Sequence, residues 1–220
     1  MEPEFITYQK FNDVVLATEL AELLEANNVN YILEEAPPAF NPAFSYADTK
    51  EYVVKVQPDH FERINKLLKQ NADENIDEVQ SDYYLLNFTN GELLDVITKA
   101  DEWNAFDVQL ARKLLAERGE VITDEQLEDI EKERIEELKI VEPSQSSWIA
   151  AGYVFALGGG VLGFFIGWHL WTYRKTLPNG EMVYIYSEND RQQGKMIFYL
   201  SFVGLAMAFV YKLLPLFLGD

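Results

Sequence analysis

The sequence predicts an α+β chain that ends in a membrane: a small sheet-and-helix sandwich, then an α-helical segment, then two transmembrane helices. Three observations carry this. Two long apolar runs begin at Trp148 and Met196. Almost all the charge lies before them: residues 1–147 hold 33 Asp/Glu against 13 Lys/Arg, and residues 148–220 hold 4 against 5. The first 75 residues alternate strand-like and helix-like segments. The expected divisions are 1–75 (α+β domain), 76–142 (helical segment), 143–173 (first transmembrane helix), 174–195 (loop) and 196–218 (second transmembrane helix).

Residues 4–11 are rich in strand formers (Phe5, Ile6, Thr7, Tyr8, Phe11) and read as a first strand. Asp13 then caps a helix whose apolar residues Val14, Leu16, Leu20, Leu23 and Leu24 recur at helical spacing up to Asn27-Asn28. Val29 to Glu34 is a second strand, Glu51 to Gln57 a third, and Pro58 opens a second helix from its first turn. Strand-helix-strand-strand-helix is the order of a ferredoxin-like sandwich, with Tyr83 to Phe88 the candidate fourth strand.

Thr89 and Glu92 form a capping box before a helix through Leu93, Leu94, Val96 and Ile97. A longer helix runs from Trp103 to Arg118 and stops at Gly119. Thr123 starts a third, charge-rich helix to about Lys139, whose i,i+4 Lys/Arg neighbours mark a solvated face rather than a cation site.

From Pro143 to Tyr173 there is no Asp, Glu, Lys or Arg, a run longer than the ~20 residues a spanning helix needs. Trp148 at its start, and Trp168, Trp171 and Tyr173 beside Arg174 and Lys175 at its end, give the aromatic and basic flanks of a lipid interface. Met196 to Leu218 is interrupted only by Lys212, whose stem can lift its ammonium to the headgroups. Gly159, Gly163 and Gly167 recur every four residues, and Gly204 with Ala208 offers a matching small pair, so the two helices are expected to pack as a hairpin. Homo-oligomerisation through the same glycines is the competing reading. Between them Asn179-Gly180 signals a turn in a short extended hairpin, with Tyr184 and Tyr186 near headgroups.

The basic residues nearly cancel between loop and flanks, so the positive-inside rule does not orient the chain. Met1 to Thr7 has neither the basic nor the apolar part of a signal peptide, which puts the N-terminal domain in the cytoplasm of an inner-membrane, multi-pass protein, with loop 172–195 outside. A cytoplasmic loop would require an exported N-terminal part or a re-entrant glycine-rich segment.

The stretch from Phe11 through Ala17-Thr18-Glu19-Leu20-Ala21-Glu22-Leu23-Leu24 and Val29-Asn30-Tyr31-Ile32-Leu33, followed by Tyr52-Val53-Val54-Lys55-Val56, resembles a small prokaryotic domain assigned to signal transduction, with a PII-like fold. The resemblance covers about the first 70 residues, implies sensing or interaction, and brings no catalytic residues. Residues Asp82 to Glu142 resemble a helical region that follows such domains in membrane proteins of Bacteroidetes-type bacteria.

No enzyme motif emerges, and no catalytic residue, cofactor or metal is expected. There is no cysteine; His60 and His169 are about a hundred residues apart with no cluster of metal-ligand residues beside them; and Gly158-Gly159-Gly160 lies inside an apolar run, not after a strand with a following Lys. The acidic surface argues against nucleic acid. The expected partners are the bilayer and a protein. The candidate protein contact is the loop from Ala36 to Asp48, whose prolines restrict it while Phe40, Phe44 and Tyr46 are available; covering the domain's own core edge is the other use of those aromatics. The whole reads as an inner-membrane interaction or signalling adaptor, with a structural subunit of a larger membrane assembly as the alternative.

Overall fold

A computed structural model describes residues 4–36, 50–76 and 79–218. The chain divides into two units, Met1–Leu138 with Thr176–Glu181, and Lys139–Lys175 with Met182–Asp220.

In the first unit, Ile6–Phe11 (β1), Tyr31–Ala36 (β2) and Glu51–Val56 (β3) form an antiparallel sheet in the order β1-β3-β2. The strand that follows β2 in the chain thus lies between β1 and β2. Its residues explain the central place: Val53, Val54 and Val56 are all buried, whereas β2 at the edge alternates weakly and carries Glu34 and Glu35. Helix α1 (Val14–Ala26) is capped by Asp13, whose carboxylate accepts from the Val15 N–H at 2.8 Å. Its buried face is Ala17, Leu20, Ala21 and Leu24; Val14 and Leu16, expected on that face, are exposed because they precede its contact with the sheet. Pro58–His60 form a 3₁₀ turn that leads into α2 (Phe61–Asn75). Phe61 and Ile64 join Ile6, Leu20, Leu24, Val29, Val54 and Val56 in one core.

Tyr83 to Phe88 is not a fourth strand. Tyr84–Asn87 form a 3₁₀ turn that buries Leu85 in a second, helical core with Leu93, Val96, Ile97, Leu110 and Leu115. Burying Leu85 there, and spending Tyr83 and Tyr84 on a carboxylate of the next helices, leaves no alternating face for a sheet. Helices α3 (Asn90–Thr98) and α5 (Asp124–Lys139) start where caps were expected: Thr89 and Glu92 cap α3 reciprocally, and the Thr123 side chain accepts from the Gln126 N–H at 3.2 Å. Helix α4 (Ala105–Glu117) starts two residues after the expected Trp103, capped by Asn104. The expected division between 1–75 and 76–142 is one between two cores of a single unit.

The second unit holds the main correction. The run 143–173 is not one long helix but two, α6 (Ser146–Leu157) and α7 (Val161–Thr172), separated by the glycine triplet. Gly159 and Gly160 take φ of +134° and +81°, which residues with a Cβ rarely adopt, and the chain reverses there. Each helix has 12 residues, about 18 Å at 1.5 Å per residue against a hydrocarbon core of about 30 Å. Only α8 (Glu188–Leu218) contains a stretch, Glu188–Lys212, long and apolar enough to cross a membrane, so the described residues offer one candidate span and not two.

The three helices pack through small residues. A Cβ on Gly152 would meet Ile166 and one on Gly163 would meet Ala156, so α6 and α7 run antiparallel. A Cβ on Gly167 would meet Phe198 and one on Gly163 would meet Ser201, so α7 and α8 also run antiparallel. Arg174–Thr176 (β4) and Met182–Tyr184 (β5) form the expected two-stranded hairpin, with Gly180 at φ +85° in its turn.

Candidate functional site

The polar side chains of the second unit gather at one end. Asp190, at the start of α8, is fully buried; it accepts from the Ser144 hydroxyl and the Gln145 N–H, each at 3.0 Å, and so caps the beginning of α6. The Glu142 N–H donates to the Ile185 carbonyl at 2.9 Å, and the Ile185 N–H donates to the Tyr173 carbonyl at 3.4 Å. The entrance to α6, the exit from α7 and the entrance to α8 therefore share one end. These bonds bring residues 142–145 beside residues 185–190, which two separate full-length spans would hold apart.

The Tyr153 hydroxyl donates to Gln193 Oε1 at 2.7 Å, and His169 Nε2 lies 3.0 Å from the Tyr186 hydroxyl. Around Tyr184 the chain has assembled cations. The Arg174 guanidinium donates to the Tyr184 hydroxyl and lies 4.3 Å from the ring centroid; the Arg191 guanidinium lies 3.2 Å from it. That hydrogen bond, with the two charges, holds the Tyr184 phenol below its ordinary value. One turn along α8, Lys195 Nζ lies 5.6 Å from the Trp171 ring centroid.

Away from this end the unit is apolar and open. Val154, Leu157, Leu162, Phe165, Trp168, Met196, Val203, Met207 and Phe209 are all more than half exposed. In a water-soluble bundle these would be the core.

The glycines predicted to pack divide sharply. A Cβ on Gly204 would lie 1.8 Å from the Ala156 carbonyl oxygen, one on Gly163 would lie 2.5 Å from the Ala156 nitrogen, and one on Gly167 would lie 2.5 Å from the Phe198 nitrogen. Those three sit at close backbone approaches within the unit. Gly159 does not: nothing lies within 4 Å of its Cβ position, because it is in the turn. Ala208 is exposed, because α8 is longer than the hairpin beside it. Phe40, Phe44 and Tyr46 lie outside the described residues.

Two polar nodes of the first unit escaped sequence reasoning. Asp107, 2 % exposed, accepts from the Tyr83 hydroxyl at 2.7 Å, the Tyr84 hydroxyl at 2.6 Å and Asn104 Nδ2 at 2.6 Å. Burial, and then the bond to Asp107, push the Tyr83 phenol up to about 12 and raise that of Tyr84 as well. Arg134 pairs with Asp101, Glu102 and Glu137. Each node is closed on itself: the donors match the acceptors, which describes a structural lock rather than a reactive group. His60 belongs to the first unit and His169 to the second. Among the described residues no three His, Asp or Glu are grouped to hold a metal ion.

Sequence did contain a signal for Asp190. Ser187, three residues before it, accepts from the Asp190 N–H at 3.2 Å, the Ser-x-x-acid pattern of a helix start. No family model matches the chain, and no curated protein or solved structure matches it either.

Proposed function

We propose that this chain is a membrane-anchored interaction or signalling adaptor: an acidic cytoplasmic part held at a bilayer by one spanning helix, α8, and a re-entrant hairpin, α6–α7. The observation that carries the anchor is the distribution of side chains in the second unit. Most of its large apolar groups face outward, Leu170 and Ile197 being the buried exceptions, and its other buried positions are filled by glycine, Ala156, Ser201 and Asp190. That is the arrangement expected where hydrocarbon is the solvent.

Orientation follows from the shared polar end. Lys139, Arg174, Lys175, Arg191 and Lys195 then lie on one side of the span and Lys212 near the other, which the positive-inside rule reads as cytoplasmic for the first group. The soluble part, joined directly to α6, is on that side too.

The adaptor class rests on the signal-transduction resemblance of the first 70 residues. The order β1-β3-β2 supports a ferredoxin-like reading there, as three of the four strands such a sandwich has. The alternative, a structural subunit recognised through its glycine faces, loses support: Gly163, Gly167 and Gly204 meet the chain's own helices.

The anchor is tested by washing native membranes with alkaline carbonate. The full chain should stay in the pellet, and its appearance in the supernatant as a detergent-free monomer would sink the proposal. The adaptor class is tested by pull-down from the same membranes with residues 1–142. A protein that this fragment retains, and that Phe40→Ala with Phe44→Ala releases, supports it; no retained protein contradicts it.

A further inference from the structure

Four cations near the shared polar end lack the carboxylate partner that many cations of the first unit have. The chain has 37 Asp/Glu for 18 Lys/Arg, so a carboxylate is the easiest partner for a cation to find. Lys10, Lys55, Lys99, Arg112 and Arg134 of the first unit each have one. Among the described residues, Arg174, Lys175, Arg191 and Lys195 form no ion pair. Asp190, the acid next to Arg191 in sequence, is turned inward to Ser144 and Gln145.

Two of these cations are also held close together. Arg174 and Arg191 share the Tyr184 ring, and their centroid distances of 4.3 and 3.2 Å together bound the separation of the guanidinium carbons at 7.5 Å. Two like charges this close repel unless an anion lies between or over them. The aromatic ring offsets only part of that repulsion. Arg191 Nε is itself buried and has no acceptor, so the guanidinium's positive charge is left without a hydrogen-bonded anion on that side. Lys195, exposed and one helical turn further along, continues the cationic row toward Trp171 and the outward-facing Trp168 and Tyr199.

We propose that Arg174, Arg191 and Lys195 bind the phosphate of an anionic phospholipid. A planar guanidinium pair suits a phosphate's several oxygens, and Lys195 supplies a point charge at its edge. The position selects a lipid over a soluble anion. The cations sit where the polar end meets the apolar girdle, so acyl chains below a bound headgroup would lie along the exposed faces of α7 and α8. The proposal rests on the membrane anchoring argued above, and deepens it by naming the lipid class.

The test uses the full chain reconstituted in vesicles of phosphatidylcholine alone and of phosphatidylcholine with phosphatidylglycerol. Native mass spectrometry then counts lipids retained after detergent release. The wild type should retain phosphatidylglycerol preferentially, and each cation removed should weaken that retention about fivefold, from roughly 1 kcal/mol per basic residue near the surface. Arg174→Gln with Arg191→Gln should therefore lose most of it, Lys195→Gln, at an exposed side chain whose one ring contact is to Trp171, should lose less, and Lys212→Gln should lose none. Equal retention of both lipids by the wild type, or unchanged preference in Lys195→Gln and the double variant, overturns the site while leaving the anchor intact. Displacement of phosphatidylglycerol by millimolar inorganic phosphate also overturns it, in favour of a soluble anion. A chain that carbonate washes from both vesicle types overturns the anchor and the site together.

Discussion

The two units solve opposite problems with the same twenty side chains. The first buries large aliphatic residues, Leu24, Ile64, Leu93 and Leu115 among them, and dresses its surface in ion pairs. The second turns most of its large residues out, Leu170 and Ile197 excepted, lets glycines bring backbones together, and buries a carboxylate at one end. Hydrophobic burial therefore holds the first unit, at roughly 25 cal/mol per Å² removed from water. Close backbone packing and satisfied polar groups hold the second, where, under the proposed anchoring, hydrocarbon gives apolar burial little to gain. The same mutation should have different consequences in each.

The largest contrast is in deletion of an apolar side chain. Leu93→Ala, at a fully buried site, should cost about 2–5 kcal/mol in urea unfolding of the first unit. Phe165→Ala, at a side chain 55 % exposed, should leave the melting of the second unit in micelles nearly unchanged. Equal losses would show that Phe165 is in a core, and the inside-out reading would fail.

Addition of a side chain reverses the ranking. Gly204→Val places carbon on the Ala156 carbonyl and should destabilise the second unit by about 1–3 kcal/mol or more in the same micelle melt. Ala208→Val, four residues along on an exposed turn, should change it by less than about 0.5 kcal/mol. A tolerant Gly204 would mean that α6 and α8 are not packed as described.

The smallest effect is electrostatic and confined to the first unit. Backbone and hydroxyl bonds from Thr89 hold the Glu92 carboxyl below its ordinary value. A depressed folded value means that the contribution is present above the unfolded carboxylate value of about 4.3 and is lost as pH falls through the folded one. Glu92→Gln should therefore lower the urea midpoint slightly at pH 7. The gap from wild type should close in acid, and a gap that widens there would contradict the assigned cap.

The first unit was legible where a local rule has one outcome. Asp13, Thr89 and Thr123 cap helices because a side-chain acceptor before an apolar-periodic run has few other uses. The strand order also follows from the apolar density of β3. Tyr83 to Phe88 misled because aromatic and aliphatic residues suit a strand equally well until Asp107, two helices away, takes both tyrosine hydroxyls. The apolar C-terminal part was wrongly read as two continuous helices: its first run is broken at the glycine triplet. Gly159, Gly163 and Gly167, spaced by four, fit a helix face, and Gly158, Gly159 and Gly160, in a row, fit a reversal; only the packing of Ala156 against Gly163 separates the two. Asp190 depends on contacts 45 and 46 positions away, and the Tyr184 cations come from separate elements on either side of it, Arg174 before and Arg191 after, which local spacing does not bring together.

The central claim is that the first apolar run enters and leaves the bilayer on one side. Because the chain has no cysteine, single cysteines report it cleanly. With a membrane-impermeant maleimide on intact cells, Asn189→Cys and Glu125→Cys should both stay unlabelled and both react once the membrane is opened. Labelling of Asn189→Cys from outside, with Glu125→Cys protected, would restore two full spans and contradict the re-entrant hairpin.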